Sequence, residues 1–315
     1  MADKPSRALV LYGDGLAQFV NPSHTHLHSL ASRGLCGFLS LPNSPPSESE
    51  EGRIVREFAQ LLDVCEASPN MSGEDTAKIE CQEKYLTRTI SERFMGMRAA
   101  IITSNSSMKS FGGKLGFTML QLNELFNNND PLAEPPADVV ASELLKLLGF
   151  QERRTLETSQ FDLVFVHIGA GENTSGQKNT EYVNGLVGGI MHIAQTAAEI
   201  GSRLHMSVVM SYGAVSDDDN HSLSVLITKD ENNSDISLLF PRQSYTMKGG
   251  NQRKNIRNHC PMLIAQWQSS VTRTDMAETF CFKDFKEHGG NLTIPADRFL
   301  HEVAFKLWKA PKYGA

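Results

Sequence analysis

Long hydrophobic runs are missing from this sequence. The first apolar stretch, Ala8 to Tyr12, is too short for a signal-peptide core or a membrane span, and the chain is expected to stay in the cytosol or nucleus, away from membranes. Paired cysteines are missing too. Cys36, Cys65, Cys81, Cys260 and Cys281 are odd in number, scattered, and without zinc-ligand spacing, so they read as reduced thiols. A basic surplus is also lacking: 30 Lys and Arg against 36 Asp and Glu leave a net charge of −6, which gives no general attraction to nucleic acid or an anionic bilayer. Basic residues gather only around Lys248, Arg253, Lys254 and Arg257. What the chain does have is apolar content, 40% of 315 residues, enough for a large core and incompatible with disorder throughout.

Short runs of β-rich apolar residues, Ala8–Tyr12, Ala99–Ser104, Leu163–His167 and Met206–Ser211, have the near-continuous hydrophobicity of strands buried on both faces of a parallel sheet. Helical periodicity lies between them at Leu27–Ser32, Ile54–Leu62, Val139–Leu148 and, longest, Tyr182 to Ile200. The alternation predicts an α/β fold, a mainly parallel sheet covered by helices on both faces. Pro42–Glu51, Asn127–Pro136 and Ser216–Asn220 read as surface loops, Leu223–Ile227 and Ser237–Phe240 as strands flanking the sheet, and Asp297–Leu307 as a final helix. No internal repeat or linker divides residues 1–315, which are expected to form a single domain. Phe165 is expected in its core, with His167 at the strand end mattering less to stability.

Chemistry is expected beyond the carboxyl ends of the strands, where ligands of open parallel sheets collect. Tyr12-Gly13-Asp14-Gly15 places Asp14 there, directly after the first strand; Gln18 stands where a dinucleotide fingerprint needs its third glycine. His24, His26 and His28 tempt a metal reading, but a two-residue spacing puts successive side chains about 200° apart on a helix, and the three cannot chelate one ion from it. The loop Gly169-Ala170-Gly171 offers backbone amides able to hold a phosphate without any metal.

Three segments carry a resemblance. Leu30-Ala31-Ser32-Arg33-Gly34, with Gly37 behind it, is similar to the helix that follows the first Asp-Gly strand end in the alkaline-phosphatase superfamily. Asp162-Leu163-Val164-Phe165-Val166-His167 resembles a strand of the cofactor-independent phosphoglycerate mutases. Glu287-His288-Gly289-Gly290, running on to Tyr313-Gly314-Ala315, is similar to their carboxyl terminus. The order agrees over most of the chain, which is shorter than most such mutases and reads as a trimmed version.

The resemblance implies an alkaline-phosphatase-like fold and phosphoryl transfer through a Ser or Thr nucleophile held between two divalent ions, which neutralise the charge of an otherwise very slow reaction. Carried over residue by residue, the site is incomplete. Asp14 matches the first aspartate ligand, and the nucleophile falls in Ser44 to Ser49, with Ser47 and Ser49 the candidates. Glu172 replaces a ligand aspartate, Gly176 a histidine, and Tyr212-Gly213 an Asp-His pair; His259 matches a late histidine ligand. The metal set is thus Asp14, Glu172 and His259, holding at most one divalent ion, Mn²⁺, Mg²⁺ or Zn²⁺, weakly, with Gly169 and Gly171 as the phosphate cradle. The expectation is a diverged, mutase-like protein without mutase activity that acts as a binding or scaffold protein for a phosphorylated small molecule or a protein partner. The alternative is an active metal-dependent phosphohydrolase or phosphotransferase rebuilt from Asp14, Glu172, the Asp217-Asp218-Asp219 turn and His259.

Overall fold

The computed structural model describes residues 5–45, 47–64, 88–126, 135–169, 176–215, 223–225, 247–248, 251–252, 256–257, 259–289 and 293–311. The chain runs through β1 (Arg7–Asp14), α1 (Thr25–Arg33), β2 (Leu35–Ser40), α2 (Glu50–Leu61), α3 (Ile90–Arg93), β3 (Ala99–Ile102), α4 (Ser106–Lys114) and β4 (Thr118–Leu120). It continues with α5 (Ala137–Leu147), the hairpin β5 (Phe150–Gln151) and β6 (Arg154–Thr155), β7 (Leu163–Gly169), α6 (Gly176–Thr196), α7 (Ala198–Arg203) and β8 (Leu204–Met210). A second hairpin, β9 (Met247–Lys248) and β10 (Asn251–Gln252), precedes β11 (Met262–Trp267), α8 (Phe282–His288), β12 (Thr293–Pro295) and α9 (Phe299–Lys306).

Eight strands form one sheet in the order β12-β2-β11-β8-β1-β7-β3-β4. Only the pairings made by β11 are antiparallel. β1 and β8 are buried along their whole length, as apolar strands covered on both faces must be. Alternation assigns the two faces: Leu9, Leu11, Val164 and Val166 point to one core with α1, α5, α6 and α8, while Ala8, Val10, Tyr12 and Phe165 point to the other with α2, α4 and α9. Phe165 is 1% exposed and meets Phe58, Phe117 and Phe299 edge to face.

The four strands read from the sequence all lie in this sheet, side by side at its centre, although β3 stops at Ile102. Two differences have local causes. The long helix breaks at Ala197, whose backbone is extended, and the jog seats Gly201 so close to the Ala194 carbonyl that a Cβ would lie 2.6 Å from that oxygen. α2 begins at Glu50, inside the stretch read as a loop, because the Ser49 hydroxyl accepts from the Gly52 amide and caps it. Of the strand expected at Leu223–Ile227 only residues 223–225 are described, with one antiparallel bridge, Ser224 to His259; residues 226–227, Ser216–Asn220, Ser237–Phe240 and residues 127–134 lie outside the described residues.

His24 and His28 of the α1 segment are structural ties. His24 Nδ1 accepts from the Asn21 amide, and His28 links the Asn21 carbonyl through Nε2 to the Phe280 amide through Nδ1. Cys36, Cys260 and Cys281 form no disulfide among the described residues. Among the described residues no helix is long and apolar enough to cross a membrane.

Candidate functional site

Neighbouring parallel strands place their last residues at one edge, and here each of four adjoining strands ends in a polar side chain on the same face. Thr103 follows β3, His167 is in β7, Asp14 closes β1 and Ser211 follows β8. Each keeps the parity of the residues that face α2 (Ile101, Phe165, Tyr12, Val209), and all four are buried. They are also connected. Thr103 Oγ1 lies 2.9 Å from His167 Nδ1, and the Ser211 hydroxyl takes the Gly15 amide at 2.9 Å and meets Asp14 Oδ1 at 3.0 Å. The Tyr12 hydroxyl is 3.4 Å from the same Asp14 oxygen.

Over this row, from the first turns of α2, comes Arg53. Its Nη1 stands 2.9 Å from Asp14 Oδ1 and its Nη2 3.0 Å from Oδ2, a two-pronged pair with both side chains nearly excluded from solvent. The same guanidinium holds Glu50 through Nε and Nη2 and Glu57 Oε2 through Nη1 at 3.1 Å. Helical spacing permits this, since Glu50, Arg53 and Glu57 lie three and four residues apart on one side of α2. Glu57 is fully buried; its Oε1 faces Arg257 Nη1 at 3.8 Å and Arg56 Nη2 at 3.9 Å. Arg56 turns outward to grip Glu48 with Nε and Nη2 and the Ser44 hydroxyl with Nη2, tying the loop before α2 to the helix.

The electrostatics follow from burial and from this cation. Burial pushes the Asp14 carboxyl up, but the hydrogen bonds and charge of Arg53, with His167 and Ser211, outweigh it and hold the group below its ordinary value. Burial drives His167 down to about 4, so the imidazole is neutral at pH 7. Its Nε2 has no hydrogen-bond partner and points near Gly169, where a Cβ would lie 3.5 Å from that nitrogen and 3.8 Å from Asp14 Oδ2. Burial likewise raises the Glu57 carboxyl against the pull of Arg53 and Arg257.

The residues named from the sequence meet at this edge only in part. Asp14 and Gly169 are direct register partners, and Tyr212 follows the end of β8 two residues on. Because β11 runs antiparallel, with Leu263 opposite Met210, its approach through His259 reaches the same edge. His259 touches the network through its backbone, its carbonyl accepting from Arg257 Nε at 3.1 Å. Ser47 and Ser49 lie on the loop entering α2, both exposed; Ser47 has a positive φ of 60°, and the Ser49 hydroxyl is occupied as the helix cap. Glu172, Gly171 and Asp217 to Asp219 lie outside the described residues. Of the basic run, Arg257 is buried against Glu57 rather than open to an anion.

Sequence reasoning did not find Arg53, Glu57, Thr103 or Ser211. One signal was present: a short polar residue ends each central apolar run, and α2 carries charges at the spacing of its buried side.

The ion site implied by the resemblance does not fit the described residues. Asp14, its first ligand, already has a cation on both oxygens, and Tyr212 and Gly213 offer no carboxylate or imidazole after β8. Among the described residues no three His, Cys, Asp or Glu side chains gather to hold an ion.

A solved structure shares this architecture, and others resemble it more distantly. The PH0037 protein from Pyrococcus horikoshii matches over 99% of this chain and 99% of its own, with a TM-score of 0.52 at 14% identity. A protein of the alkaline phosphatase superfamily from Vibrio parahaemolyticus matches 96% of this chain and 67% of its own (TM-score 0.49, 12% identity). The cofactor-independent phosphoglycerate mutase from Thermoplasma acidophilum matches 96% and 99% (TM-score 0.45, 10% identity). No protein-family model and no curated protein matches the sequence. The chain shares its α/β fold with the PH0037 protein, and at 14% identity the likeness is one of fold alone.

Proposed function

We propose that this protein is a diverged, phosphoglycerate-mutase-like chain that has given up phosphoryl transfer and works by binding a phosphorylated small molecule or a protein partner. The observation that supports the reading is the Arg53 fork on Asp14. A guanidinium supplies one delocalised charge that neutralises the aspartate, but it cannot activate a serine hydroxyl or bridge transferring oxygens as paired divalent ions do. The candidate nucleophiles agree with this, because Ser49 caps α2 and Ser47 is exposed on the loop. The network then keeps the carboxyl-terminal edge rigid as a binding surface.

Assays with 3-phosphoglycerate and a generic aryl phosphate, each with Mn²⁺, Mg²⁺ and Zn²⁺ added, test the reading. It expects no turnover above the uncatalysed rate. Turnover that Asp14→Ala and Ser49→Ala both abolish would instead establish a rebuilt, active site.

A further inference from the structure

The opposite edge of the same sheet, where the parallel strands begin, carries a second concentration of charge. Arg98 precedes β3, Asp162 precedes β7, Arg7 opens β1 and Arg203 precedes β8. Together with Glu157 and Lys309 they line a cavity of about 400 Å³. Four cations face two carboxylates there, in a chain whose net charge is −6.

The cations are not equally committed. Arg7 donates to the carbonyls of Leu148, Gly149, Leu156 and Glu157, and so fastens the end of α5 to β1. Arg98 is held by Asp162 and Ser159. Arg203, by contrast, donates only to the Pro5 carbonyl, through Nε at 3.3 Å and Nη2 at 2.9 Å; among the described residues no ion-pair contact engages it, and Glu199, one helical turn before it, acts on it through its charge alone. Lys309 has a single contact, Asp162 at 3.6 Å, and that carboxylate is already engaged by Arg98. Beside them the Ser6 hydroxyl accepts from Gln268 Nε2 at 2.8 Å, which leaves its own hydrogen to donate into the cavity. The crowding shows in Arg7: burial lowers its pKa and the neighbouring Arg203 lowers it further, with Asp162 pulling the other way.

We propose that this cavity is a binding site for the phosphate group of a small phosphate monoester, held by Arg203, Lys309 and the Ser6 hydroxyl. The surplus of two positive charges matches a dianion. A guanidinium edge, an ammonium and a hydroxyl provide separate donors for the oxygens of a tetrahedral group. The site lies at the other end of the strands from Asp14, so it does not depend on the fate of that crevice.

Calorimetric titration of the full chain with inorganic phosphate and with methyl phosphate, at low ionic strength, tests the proposal. Saturable binding of one equivalent is expected. Because each variant removes a charge-assisted contact, Arg203→Ala and Lys309→Ala should each weaken binding about tenfold or more. Both side chains are partly exposed, so the variants are expected to fold. Lys114→Ala, which removes an exposed lysine on α4, should leave the affinity unchanged. Absence of saturable binding overturns the proposal, as does an equal loss in Lys114→Ala, which marks unspecific attraction. Binding unaffected by Arg203→Ala and Lys309→Ala places the anion elsewhere and overturns the proposal, and acetate binding more tightly than phosphate overturns the choice of a dianion.

Discussion

Arg53 spans the distance from α2 to the end of β1 and closes both carboxylate oxygens of Asp14 at 2.9 and 3.0 Å, while the same guanidinium reaches Glu57 at 3.1 Å. Removing it leaves Asp14 without a cation and Glu57 with only the longer contacts to Arg257 and Arg56. Arg53→Ala should therefore cost about 3–5 kcal/mol in urea denaturation, the range for breaking a buried ion pair from one side. Asp14→Asn in the same background should restore part of that loss, since the neutral amide no longer needs a counter-charge. Additive losses in the double variant would mean that the two side chains are not coupled.

Phe165 tests the placement of the sheet. It sits at the centre of β7, 1% exposed, among three phenylalanines from both ends of the chain. Phe165→Ala is expected to cost about 3–5 kcal/mol, and unfolding at wild-type denaturant concentration would contradict the packing described.

Gly34 tests the turn between α1 and β2. A Cβ there would lie 2.5 Å from the Gln266 carbonyl oxygen of β11 and 3.0 Å from that of Leu30, both backbone atoms with little room to retreat. The φ of −113° makes no demand for glycine, so the requirement is steric. Gly34→Ala should cost about 1–3 kcal/mol by thermal or chemical unfolding; a neutral result would show that the turn is free to move.

Acid should weaken the fold earlier than carboxylate titration alone predicts. Burial lowers both His167 and His205 to about 4, Lys306 adding to the effect on His205. In the unfolded chain these imidazoles titrate near 6.5, so between the two values the unfolded state binds protons that the folded state refuses. Stability is whole above about pH 6.5 and declines as the pH falls toward 4, by on the order of 3 kcal/mol for each histidine. Thermal unfolding measured from pH 7.5 to 4.5 should show the decline, and His167→Gln should flatten it. A midpoint independent of pH over that interval would contradict the burial of both rings.

The sequence made the centre of the sheet legible and its flank obscure. β1, β7 and β8 are near-continuous apolar runs, which burial on both faces demands, so length and hydrophobicity alone marked them. β2 contains Cys36 and Gly37 directly after a turn glycine, and β11 is a short apolar run after Pro261 with no helical or strand segment read beside it; partners distant in sequence decide both. His167 looked marginal at a strand end, yet it is buried and bonded to Thr103, because residues after β3 cover it. At the site, Asp14 could be placed by the rule that ligands gather at strand ends. Its partner could not, since Arg53 is 39 positions away and reaches Asp14 only because α2 turns that side toward the sheet.

With Arg53 on both of its carboxylate oxygens, Asp14 is expected to hold no metal ion. Calorimetric titration of the wild-type chain, Asp14→Ala and Arg53→Gln with Mn²⁺ and Zn²⁺ tests it most directly. The wild-type protein and Asp14→Ala should behave alike, with no tight binding that depends on the aspartate, and only Arg53→Gln, which exposes the carboxylate, should gain affinity. Sub-micromolar ion binding by the wild-type chain that Asp14→Ala abolishes would contradict the claim.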